Sequence, residues 1–465
     1  MLTVEKIGGT SMTQFGDVVN NIIIANRTPD EYYNRIFVVS AYNNVTNWLL
    51  EHKKTGDPGV YTIFLEKKDF EVALDSLLFR LLDINRNFET VGLNLIEAED
   101  FIRHRIGQAK VMLKSLSTVM ASGYVNVDNI CLAAREILAS IGEAHSAWNS
   151  ANILKNRGVN ALFVDLCGFD DPSPLTIDER IRKAFNGIEF DKVLCVATGY
   201  TKGTEGIMRE FDRGYTEVTF SKIAVEVNAD EAIIHKEYHL SSADPNIVGL
   251  NKVITVGHTN FIVADQLADI GMEAIHPKAA KPLERAGINI RIKNTFEPEH
   301  PGTLISREYI SPEPKVEIVS GANKKVLAID VHDSGMVGEV GFDLHIMEYF
   351  RKHGVSYILK STDASSITMV VWDNYKSRDL IKDLKNSFGS SNVEEKRVAI
   401  VCAMGSNINK PGFLYHATKA LYENKINILS FGQSLRQVNM QFVIDKDNYE
   451  KAIIVLNEAL CLAKW

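Results

Sequence analysis

The sequence predicts an α/β protein, in which a mostly parallel sheet lies between two layers of helices in a three-layer sandwich, followed by two smaller ferredoxin-like modules. Three observations support this prediction. Short apolar strands alternate with helical segments over roughly residues 1–295. Prolines then interrupt the chain at positions 298, 301, 312 and 314. Beyond them, one pattern of strands, glycine turn and helices occurs twice.

The alternating part begins with the strand LTVEKI and continues with RIFVVSA, a continuous apolar run typical of a strand buried on both faces. From about Asp69 to Arg157 the pattern is largely helical and ends at a glycine. Further strands are predicted at NALFVDL, KVLCVATG, EAIIH and INIRIKN, with the helices EVTFSKIAVEVNA and TNFIVADQLADIG among them. Apolar strands that alternate with helices predict a parallel sheet covered on both faces.

The repeat aligns the segment that starts at Val326 with the segment that starts at Val398. Each copy reads as strand, glycine turn, helix, strand, strand and helix, which is the β-α-β-β-α-β pattern. The four proline positions indicate a boundary before the first copy. We therefore predict a first domain at 1–297, a linker at 298–322 and two modules at 323–394 and 395–465.

Composition narrows the class of protein. A chain of 465 residues is too long for one ordinary core. Its net charge of −8 and the lack of a basic block argue against a nucleic-acid partner. The longest apolar runs are too short for a membrane span, and no signal peptide is expected. Five scattered cysteines without a C-x-x-C pair are typical of a reduced protein, so we expect a soluble cytoplasmic one.

The opening stretch VEKIGGTSM holds the first candidate site. Lys6 brings a positive charge, while Gly8 and Gly9 let backbone N–H groups approach an anion closely. Taken alone, the stretch fits an ordinary strand-to-helix turn equally well. Neither a P-loop nor a G-x-G-x-x-G fingerprint after a strand occurs, so P-loop NTPases and Rossmann dehydrogenases fit poorly.

Two further strand ends carry polar groups. Ser40 and Thr46 follow the second strand, and Arg213, Thr216 and Glu217 follow the glycine-rich excursion after KVLCVATG. Helix capping and a first-turn acid explain each of them singly. Ligands of open α/β sheets bind at the carboxyl ends of the strands, and arginine suits a carboxylate. Three such strand ends together favour a site for an anionic ligand.

Over essentially its whole length the chain resembles the aspartate kinases of the amino-acid kinase superfamily. Residues 6–11 match the family's K-F-G-G-T-S, residues 38–47 its V-V-S-A-x-x-x-x-T-N, and residues 142–143 its G-E helix. DRGYTE corresponds to G-R-G-G-S-D and AIHP to V-L-H-P, and the family also carries tandem ACT modules. The spellings VEKIGGTSM, RGYTEVTFSKIA and IHKEYHLSSADP look most like the subgroup associated with ectoine synthesis.

The resemblance implies transfer of the γ-phosphoryl group of ATP, with Mg²⁺, to the side-chain carboxylate of L-aspartate. It implies catalytic roles for Lys6 and for Glu217, which would orient Lys6. The implied phosphate and ATP contacts are Lys6, Gly8, Gly9, Thr10, Lys236 and Ser241. The implied aspartate contacts are Ser40, Thr46, Glu143, Arg213 and Thr216, with Arg213 holding a carboxylate and Glu143 the ammonium group. No metal site built from protein side chains is predicted.

Several positions depart from the family pattern. Tyr215, Thr216 and Glu217 replace G-S-D in the turn. On the nucleotide side the replacements are His235 and Lys236 for T-D, Ser241 for tyrosine, Asn246 for arginine and Glu273 for lysine. Two basic groups that would face the nucleotide are therefore missing, and Lys236 is the candidate to compensate.

The ACT modules imply an amino-acid effector at the glycine turn of the first copy and its facing strand. The candidate effector residues are Met336, Val337, Gly338, Ser361 and Thr362. Lysine-sensitive relatives generally place an aspartate where this chain has Ile358, so weak or absent inhibition by lysine is expected. Paired ACT modules also imply a homodimer or a dimer of dimers.

Two alternatives remain open. The first is another acid kinase of the superfamily, acting on glutamate, N-acetylglutamate or carbamate, although the pairing of Glu143 with Arg213 and the tandem ACT modules favour free aspartate. The second is an amino-acid-sensing binding protein with a degenerate kinase half, which the missing nucleotide-side basic groups would permit. Retention of Lys6, Gly8, Gly9 and Arg213 argues against the second alternative.

Overall fold

The computed structural model describes residues 1–25, 27–53, 55–211, 214–272 and 274–463. The described residues form fifteen strands: β1 (Thr3–Ile7), β2 (Arg35–Val39), β3 (Ala161–Val164), β4 (Leu194–Thr198), β5 (Glu231–Lys236), β6 (His258–Asn260), β7 (Asn289–Asn294), β8 (Thr303–Ser306), β9 (Ile318–Ala322), β10 (Val326–His332), β11 (Tyr357–Thr362), β12 (Ser366–Trp372), β13 (Val393–Met404), β14 (Ile428–Gly432) and β15 (Asn439–Asp445). They also form seventeen α-helices: α1 (Gly9–Thr13), α2 (Phe15–Val18), α3 (Val45–Leu49), α4 (Val60–Leu65), α5 (Phe70–Phe88), α6 (Leu95–Ser122), α7 (Val127–Asn156), α8 (Ile177–Phe185), α9 (Ile207–Glu210), α10 (Tyr215–Glu226), α11 (Pro245–Val248), α12 (Phe261–Asp269), α13 (Pro277–Ala286), α14 (Phe342–His353), α15 (Tyr375–Phe388), α16 (Phe413–Glu423) and α17 (Tyr449–Asn457).

The chain divides into two compact units, and the first comprises residues 1–239 and 276–302. Its strands follow the order β3-β4-β2-β1-β5-β7, and each neighbouring pair is parallel. The apolar strands β2 and β4 are buried along their whole length, with α7 packed against both and α10 against β2. The predicted parallel sheet with helical layers is therefore confirmed.

Strand register explains why three separate turns meet at one place. Ile7 at the end of β1 pairs with Val39 at the end of β2, and Val39 pairs with Thr198 at the end of β4. Parallel strands that end in register send their following loops out from the same edge of the sheet. The turns that follow Ile7, Val39 and Thr198 therefore begin side by side.

Two helices bring further groups to that edge. Helix α10 begins after Gly214, whose φ of 91° is a conformation that favours glycine, and so places Thr216 and Glu217 in its first turn. Helix α7 is capped by Asn126, whose side chain accepts a hydrogen bond from the Asp128 N–H. From Leu138 to Leu154 nearly every residue of α7 is buried, and Glu143 lies inside that stretch.

The second unit comprises residues 240–275 and 303–465 and contains the predicted pair of modules. The first module combines β10, α14, β11, β12 and α15 with the start of β13, and Ile329, Phe350 and Met369 lie in its core. The second combines the rest of β13 with α16, β14, β15 and α17, around Val401, Phe442 and other buried residues. Strand β13 therefore serves both modules.

Two features differ from the predicted domain organisation. The predicted linker at 298–322 contains β8 and β9, and β9 pairs antiparallel with β13 from Ile318 opposite Met404 to Ala322 opposite Ile400. Residues 240–275, which the prediction assigns to the first domain, belong to the second compact unit. The reason is apolar packing, because Val248 of this segment lies in the same core as Phe442.

Among the described residues, no helix is long and apolar enough to span a membrane. The five cysteines are free, and Cys195 in β4 and Cys402 in β13 are buried, as predicted for core thiols.

Candidate active site

A cavity of about 310 Å³ opens where β1, β2 and α10 meet, at the carboxyl edge of the first unit's sheet. Eight of the residues predicted from the sequence line it: Lys6, Gly9, Thr10, Ser40, Thr46, Glu143, Thr216 and Glu217. They come from separate segments of the chain, and the sheet register described above brings the strand ends together. The structure therefore places most of the predicted catalytic and aspartate-binding residues around one space.

Lys6 and Glu217 form an ion pair at the wall of this cavity, with Lys6 Nζ 3.2 Å from Glu217 Oε1. The other carboxylate oxygen, Oε2, accepts a hydrogen bond of 2.7 Å from the His276 N–H. Burial opposes ionisation of Glu217, but the charges of Lys6 and Lys236 and the His276 N–H hold its pKa below the usual value. The carboxylate is thus ionised and fixed, and it uses only one of the three donors of the Lys6 ammonium.

Glu143 has the opposite character. Its side chain is buried in α7, and Oε1 accepts a 2.7 Å hydrogen bond from the Thr216 hydroxyl, which in turn accepts one from Ser40 Oγ at 3.2 Å. Oε2 is buried and has no hydrogen-bond partner among the described residues. Burial raises the pKa of Glu143 to about 8, although the Thr216 hydroxyl, the Lys6 charge and the Ala41 backbone N–H act against this rise. A cationic group placed at Oε2 would ionise this carboxyl group.

Two glycines keep the cavity walls close together. A Cβ atom on Gly9 would lie 2.7 Å from the carbonyl oxygen of Ala41, so α1 can pack against the loop after β2 only with glycine there. A Cβ atom on Gly199 would collide with the Thr216 side-chain methyl group and lie 2.9 Å from Glu143 Oε2. Gly199 was not among the predicted site residues. Its only sequence signal is its position directly after an apolar strand.

The other predicted site residues are not among those that line this cavity. Gly8 is the N-cap residue of α1, and Lys236 ends β5, where its charge acts on Glu217. Ser241 belongs to the second unit and forms an antiparallel bridge with Thr255. Arg213, the predicted partner of the substrate carboxylate, lies outside the described residues, as does Glu273.

His235, which replaces a family threonine on the nucleotide side, contacts a charged core network. Its Nε2 lies 2.7 Å from Glu5 Oε2, and Glu5 Oε1 accepts a hydrogen bond of 2.6 Å from Arg35 Nε. All three residues are buried. The histidine is therefore part of the structural support beneath β1, on the strand next to the one that carries Lys6.

The predicted effector residues lie at one edge of the first ACT module. Met336 ends a 3-10 turn after β10, Val337 is exposed, and Gly338 has a φ of 80°. Val331 of β10 and Thr362 of β11 both pair with Ile367 of β12, so the carboxyl ends of β10 and β11 lie at the same end of the sheet. Ser361 and Thr362 thus end β11 at the edge from which the 336–338 turn departs.

Several residues that line the cavity were not among the predicted site residues: Tyr42, Asn43, Asn44, Asn47 and Tyr215. Asn44 has a φ of 66° and precedes α3, a conformation that asparagine adopts more readily than most residues. The sequence signal for this turn was the pair of asparagines, Asn43 and Asn44, directly after VVSAY. Tyr42 is buried and accepts a hydrogen bond of 3.3 Å from Asn149 Nδ2, and burial raises its pKa.

Comparison with known proteins agrees with this geometry. Residues 1–294 match the amino acid kinase family and residues 401–460 match an ACT domain family. Aspartate kinase Ask_Ect of Stutzerimonas stutzeri strain A1501 is 47% identical over 467 residues, which cover 99% of this chain and 97% of the relative. The chain belongs to the amino acid kinase family, in the branch formed by the aspartate kinases.

Solved structures show the same fold. Clostridium acetobutylicum aspartate kinase superposes with a TM-score of 0.71 at 21% identity, covering 98% of this chain and 100% of the other. Escherichia coli aspartokinase III in complex with aspartate and ADP gives a TM-score of 0.70 at 18% identity, covering 99% of each chain. The predicted family is therefore confirmed, and so is the likeness to an ectoine-type subgroup, since the Stutzerimonas relative carries the designation Ask_Ect.

Proposed function

We propose that this protein transfers the γ-phosphoryl group of ATP to the side-chain carboxylate of L-aspartate, giving 4-phospho-L-aspartate and ADP. The observation that carries the proposal is a single cavity lined by an ion-paired lysine and by a buried glutamic acid with an unpartnered oxygen. The first group suits a moving phosphate and the second suits an ammonium group. Membership of the aspartate kinases supports aspartate over glutamate, N-acetylglutamate or carbamate as the acceptor.

On the acceptor side, the ammonium group of aspartate would bind at Glu143 Oε2 and complete the hydrogen bonding of that carboxylate. Thr216 holds the other oxygen and fixes the orientation of the Glu143 carboxylate. The hydroxyl groups of Ser40 and Thr46 line the same cavity and supply further polar contacts. The contact between Arg213 and a substrate carboxylate remains a prediction from the sequence.

On the donor side, the phosphates would approach Lys6 and the turn that follows it. A Cβ atom added to Gly8 would have Lys6 Nζ as its nearest neighbour, at 4.0 Å, so this peptide is open toward the ammonium group. Phosphoryl transfer depends mainly on positioning and charge neutralisation. The side-chain carboxylate of aspartate is already ionised at neutral pH, so attack on the γ-phosphorus requires no general base. Lys6 would neutralise the transferring group while Glu217 holds Lys6 in position.

Magnesium would accompany the nucleotide. Among the described residues no group of three or more histidine, cysteine, aspartate or glutamate side chains could hold a metal ion. Glu217, the carboxylate beside Lys6, is already held by Lys6 and the His276 N–H. In kinase sites Mg²⁺ is commonly held by substrate phosphates, water and one or two carboxylates. The carboxylates at this site therefore fit a Mg²⁺ ion that is bound mainly by the phosphates of ATP and that would neutralise their charge.

The proposal extends to the setting of the enzyme. We place it in the cytoplasm as a homodimer or dimer of dimers assembled through the ACT modules, with an amino-acid effector at the 336–338 turn. Its product would enter the synthesis of ectoine or of amino acids derived from aspartate. The likeness to a relative designated Ask_Ect supports the first of these routes.

The test is to trap the acyl phosphate with hydroxylamine while offering aspartate, glutamate and N-acetylglutamate separately. We expect hydroxamate with aspartate and ATP, and none with Lys6→Ala. The matched control is Lys222→Ala, because Lys222 lies on the same helix as Glu217 and forms a 2.6 Å ion pair with exposed Asp178 of α8. An unchanged rate in Lys6→Ala would remove the proposed role of Lys6. Hydroxamate from glutamate alone, or from none of the acids, would favour one of the two alternatives.

A further inference from the structure

A second cavity, of about 420 Å³, lies in the same unit as the candidate active site. Its walls are the first half of α7, Met112 of α6 and the loops that follow β3 and β4. This volume is within the range of about 300–1,000 Å³ that is usual for small-molecule sites. None of the described residues proposed above as aspartate or ATP contacts lines it.

The cavity wall is apolar over much of its area. Met112, Leu132, Ile137 and Phe169 line it, and each is partly rather than fully buried. Apolar side chains that stay partly exposed inside a concave space favour a ligand with an apolar body.

Charged groups of both signs also line the cavity. Glu136 accepts a hydrogen bond from the Tyr200 hydroxyl and another, of 2.7 Å, from the Met208 N–H. A carboxylate offers roughly four acceptor positions, so these two donors leave capacity for a ligand. Lys202 donates to the carbonyl groups of Gly168 and Asp171, both at 3.0 Å, and neither carbonyl cancels its charge.

Arg209 adds a second cation. It lines the cavity, and its charge acts on Glu136. An occupant with one positive and one negative end would therefore find complementary groups: the carboxylates of Glu136 and Glu205 for the first, and Lys202 and Arg209 for the second.

Tyr200 connects this cavity with the active site. Its hydroxyl group donates to Glu136, while its ring meets the ring of Tyr215 edge to face, with centroids 5.8 Å apart and an angle of 83° between planes. Tyr215 lines the active-site cavity and directly precedes Thr216, whose hydroxyl group holds Glu143. A ligand that engages Glu136 thus acts on a residue packed against the aspartate site.

We propose that the second cavity is an effector site for a small zwitterion with an apolar body, of the size of a branched aliphatic amino acid, and that its occupation changes the affinity for aspartate. The ammonium group binds Glu136, and the carboxylate group binds between Lys202 and Arg209. Binding at this site is separate from the effector turn predicted in the first ACT module. The coupling to aspartate rests on the proposed function. Effector binding is measured without catalysis, so a failure of the effector to bind is distinguishable from a failure of the proposed kinase function.

The direct test is isothermal titration calorimetry on the full chain with three probes. L-Leucine carries both charges, 3-methylbutan-1-amine lacks the carboxylate, and 4-methylpentanoate lacks the ammonium group. We expect L-leucine to bind about tenfold more tightly than either probe with one charge, the difference expected for one hydrogen bond between charged groups. Equal binding of the three probes, or no binding of L-leucine at millimolar concentration, would overturn the proposal.

Variants locate the binding. Ala133→Phe fills the cavity and should abolish L-leucine binding, whereas Ala121→Phe, at an exposed position of α6 outside the cavity, should leave it unchanged. Glu136→Gln keeps an acceptor for Tyr200 but loses the charge, and should weaken binding about tenfold even if Ala133→Phe folds poorly. L-Leucine binding that survives in both cavity variants would place it elsewhere in the chain and refute the site.

Coupling is read from the aspartate KM. We expect L-leucine to change this KM by about fivefold or more in the wild type, the lower end of usual allosteric coupling. Tyr200→Phe removes the hydroxyl group that contacts Glu136 while keeping the ring, so the change should shrink. A KM that is unaffected by bound L-leucine would refute the coupling.

Discussion

The Nζ atom of Lys6 lies 3.2 Å from Oε1 of Glu217, although 211 positions separate the two residues in the chain. One stands on the first strand of the sheet and the other in the first turn of α10. The second oxygen of Glu217 is held by the backbone of a third segment, at His276. The position of Lys6, the cation proposed to neutralise the transferring phosphoryl group, thus depends on a carboxylate that is itself fixed from two sides.

Removing the charge of Glu217 should therefore impair catalysis more than binding. We expect Glu217→Gln to lower kcat by about a hundredfold, comparable to the loss of one group that stabilises a transition state, because Lys6 loses its fixed orientation. Hydroxamate kinetics measure this, with Asp178→Asn as the control, since Asp178 forms an exposed ion pair with Lys222. A folded Glu217→Gln enzyme with unchanged kcat would show that the pair is structural only.

Aspartate binding should release protons. Burial raises the pKa of Glu143 from 4.5 to about 8, so the carboxyl group is mostly protonated at neutral pH in the ligand-free protein. The ammonium group of aspartate favours the ionised form, so the proton leaves when aspartate binds. The aspartate KM should then fall as the pH rises toward that pKa, by at most about tenfold per pH unit.

Calorimetry of aspartate binding in two buffers of different ionisation enthalpy measures the proton release at neutral pH. In Glu143→Gln the buffer-dependent heat should disappear, because the amide has no proton to release. Wild-type binding without any buffer-dependent heat would contradict a protonated Glu143.

Two neighbouring glycines should respond differently to the same substitution. Gly9→Ala places a Cβ atom 2.7 Å from the Ala41 carbonyl oxygen and should lower the free energy of unfolding by about 1–3 kcal/mol. Gly8 has a φ of −75°, which suits alanine, and a Cβ there has space. Gly8→Ala should therefore keep its stability within about 0.5 kcal/mol and raise the KM for ATP, because the methyl group obstructs approach to Lys6.

Urea unfolding and ATP kinetics of the two glycine variants separate these effects. A Gly8→Ala protein that is less stable than Gly9→Ala would show that Gly8 is needed for the fold. An unchanged KM for ATP in Gly8→Ala would contradict the proposed approach of the phosphates at Gly8.

The buried network beneath β1 should make the fold sensitive to acid. Burial opposes the charge of Glu5, but Arg35 and His235 hold its pKa well below 4.5, and burial lowers the pKa of His235 from 6.5. Both groups bind protons more readily in the unfolded chain. Their stabilisation is therefore present above the ordinary pKa values and is lost as the pH falls, first below 6.5 for His235 and then below 4.5 for Glu5.

Urea unfolding across this pH range tests the network. At neutral pH Glu5→Gln should lower the free energy of unfolding by about 3–5 kcal/mol, because it leaves Arg35 buried without its carboxylate partner. Glu66→Gln is the matched control, since Glu66 pairs with Lys68 on the surface. Equal losses in the two variants, or greater stability at lower pH, would contradict the prediction.

Lysine should have little effect on the activity. The resemblance to lysine-sensitive relatives predicts an aspartate at position 358, whereas this chain has Ile358, which is buried at 7% exposure and offers no carboxylate to a lysine side chain. Initial rates with and without millimolar L-lysine, at subsaturating aspartate, measure this directly. A marked fall in rate would show that another acidic group in the module binds the lysine ammonium.

Much of the site could be predicted because it follows from local patterns. Apolar strands that end in register bring Lys6 and Ser40 to one edge of the sheet, and the sequence alone shows where those strands end. Gly199 and Asn44 were missed because their importance depends on close approach and backbone conformation rather than on a charge or motif. The raised pKa of Glu143 depends on how completely α7 is buried, which periodicity does not reveal.

The long-range pairing of β9 could not be predicted for a different reason. The segment IVSGA is short, contains a glycine and follows the prolines that indicate a boundary. Its partner Ile400–Met404 lies some eighty positions further along, beyond a complete module. Local propensity carries no information about such a partner.

Strand β13 pairs with β10 along Val393–Arg397 and with β9 along Ile400–Met404, so the first ACT module is inserted between two strands of the second. A fragment that begins at residue 395 would lack β9 and leave one edge of β13 without a hydrogen-bonding partner. An unpaired strand edge of this kind promotes aggregation or pairing with a strand of another chain. Chimaeras that exchange the regulatory modules of two relatives should therefore fold only when the crossover lies upstream of Ile318, so that β9 and both modules come from the same parent.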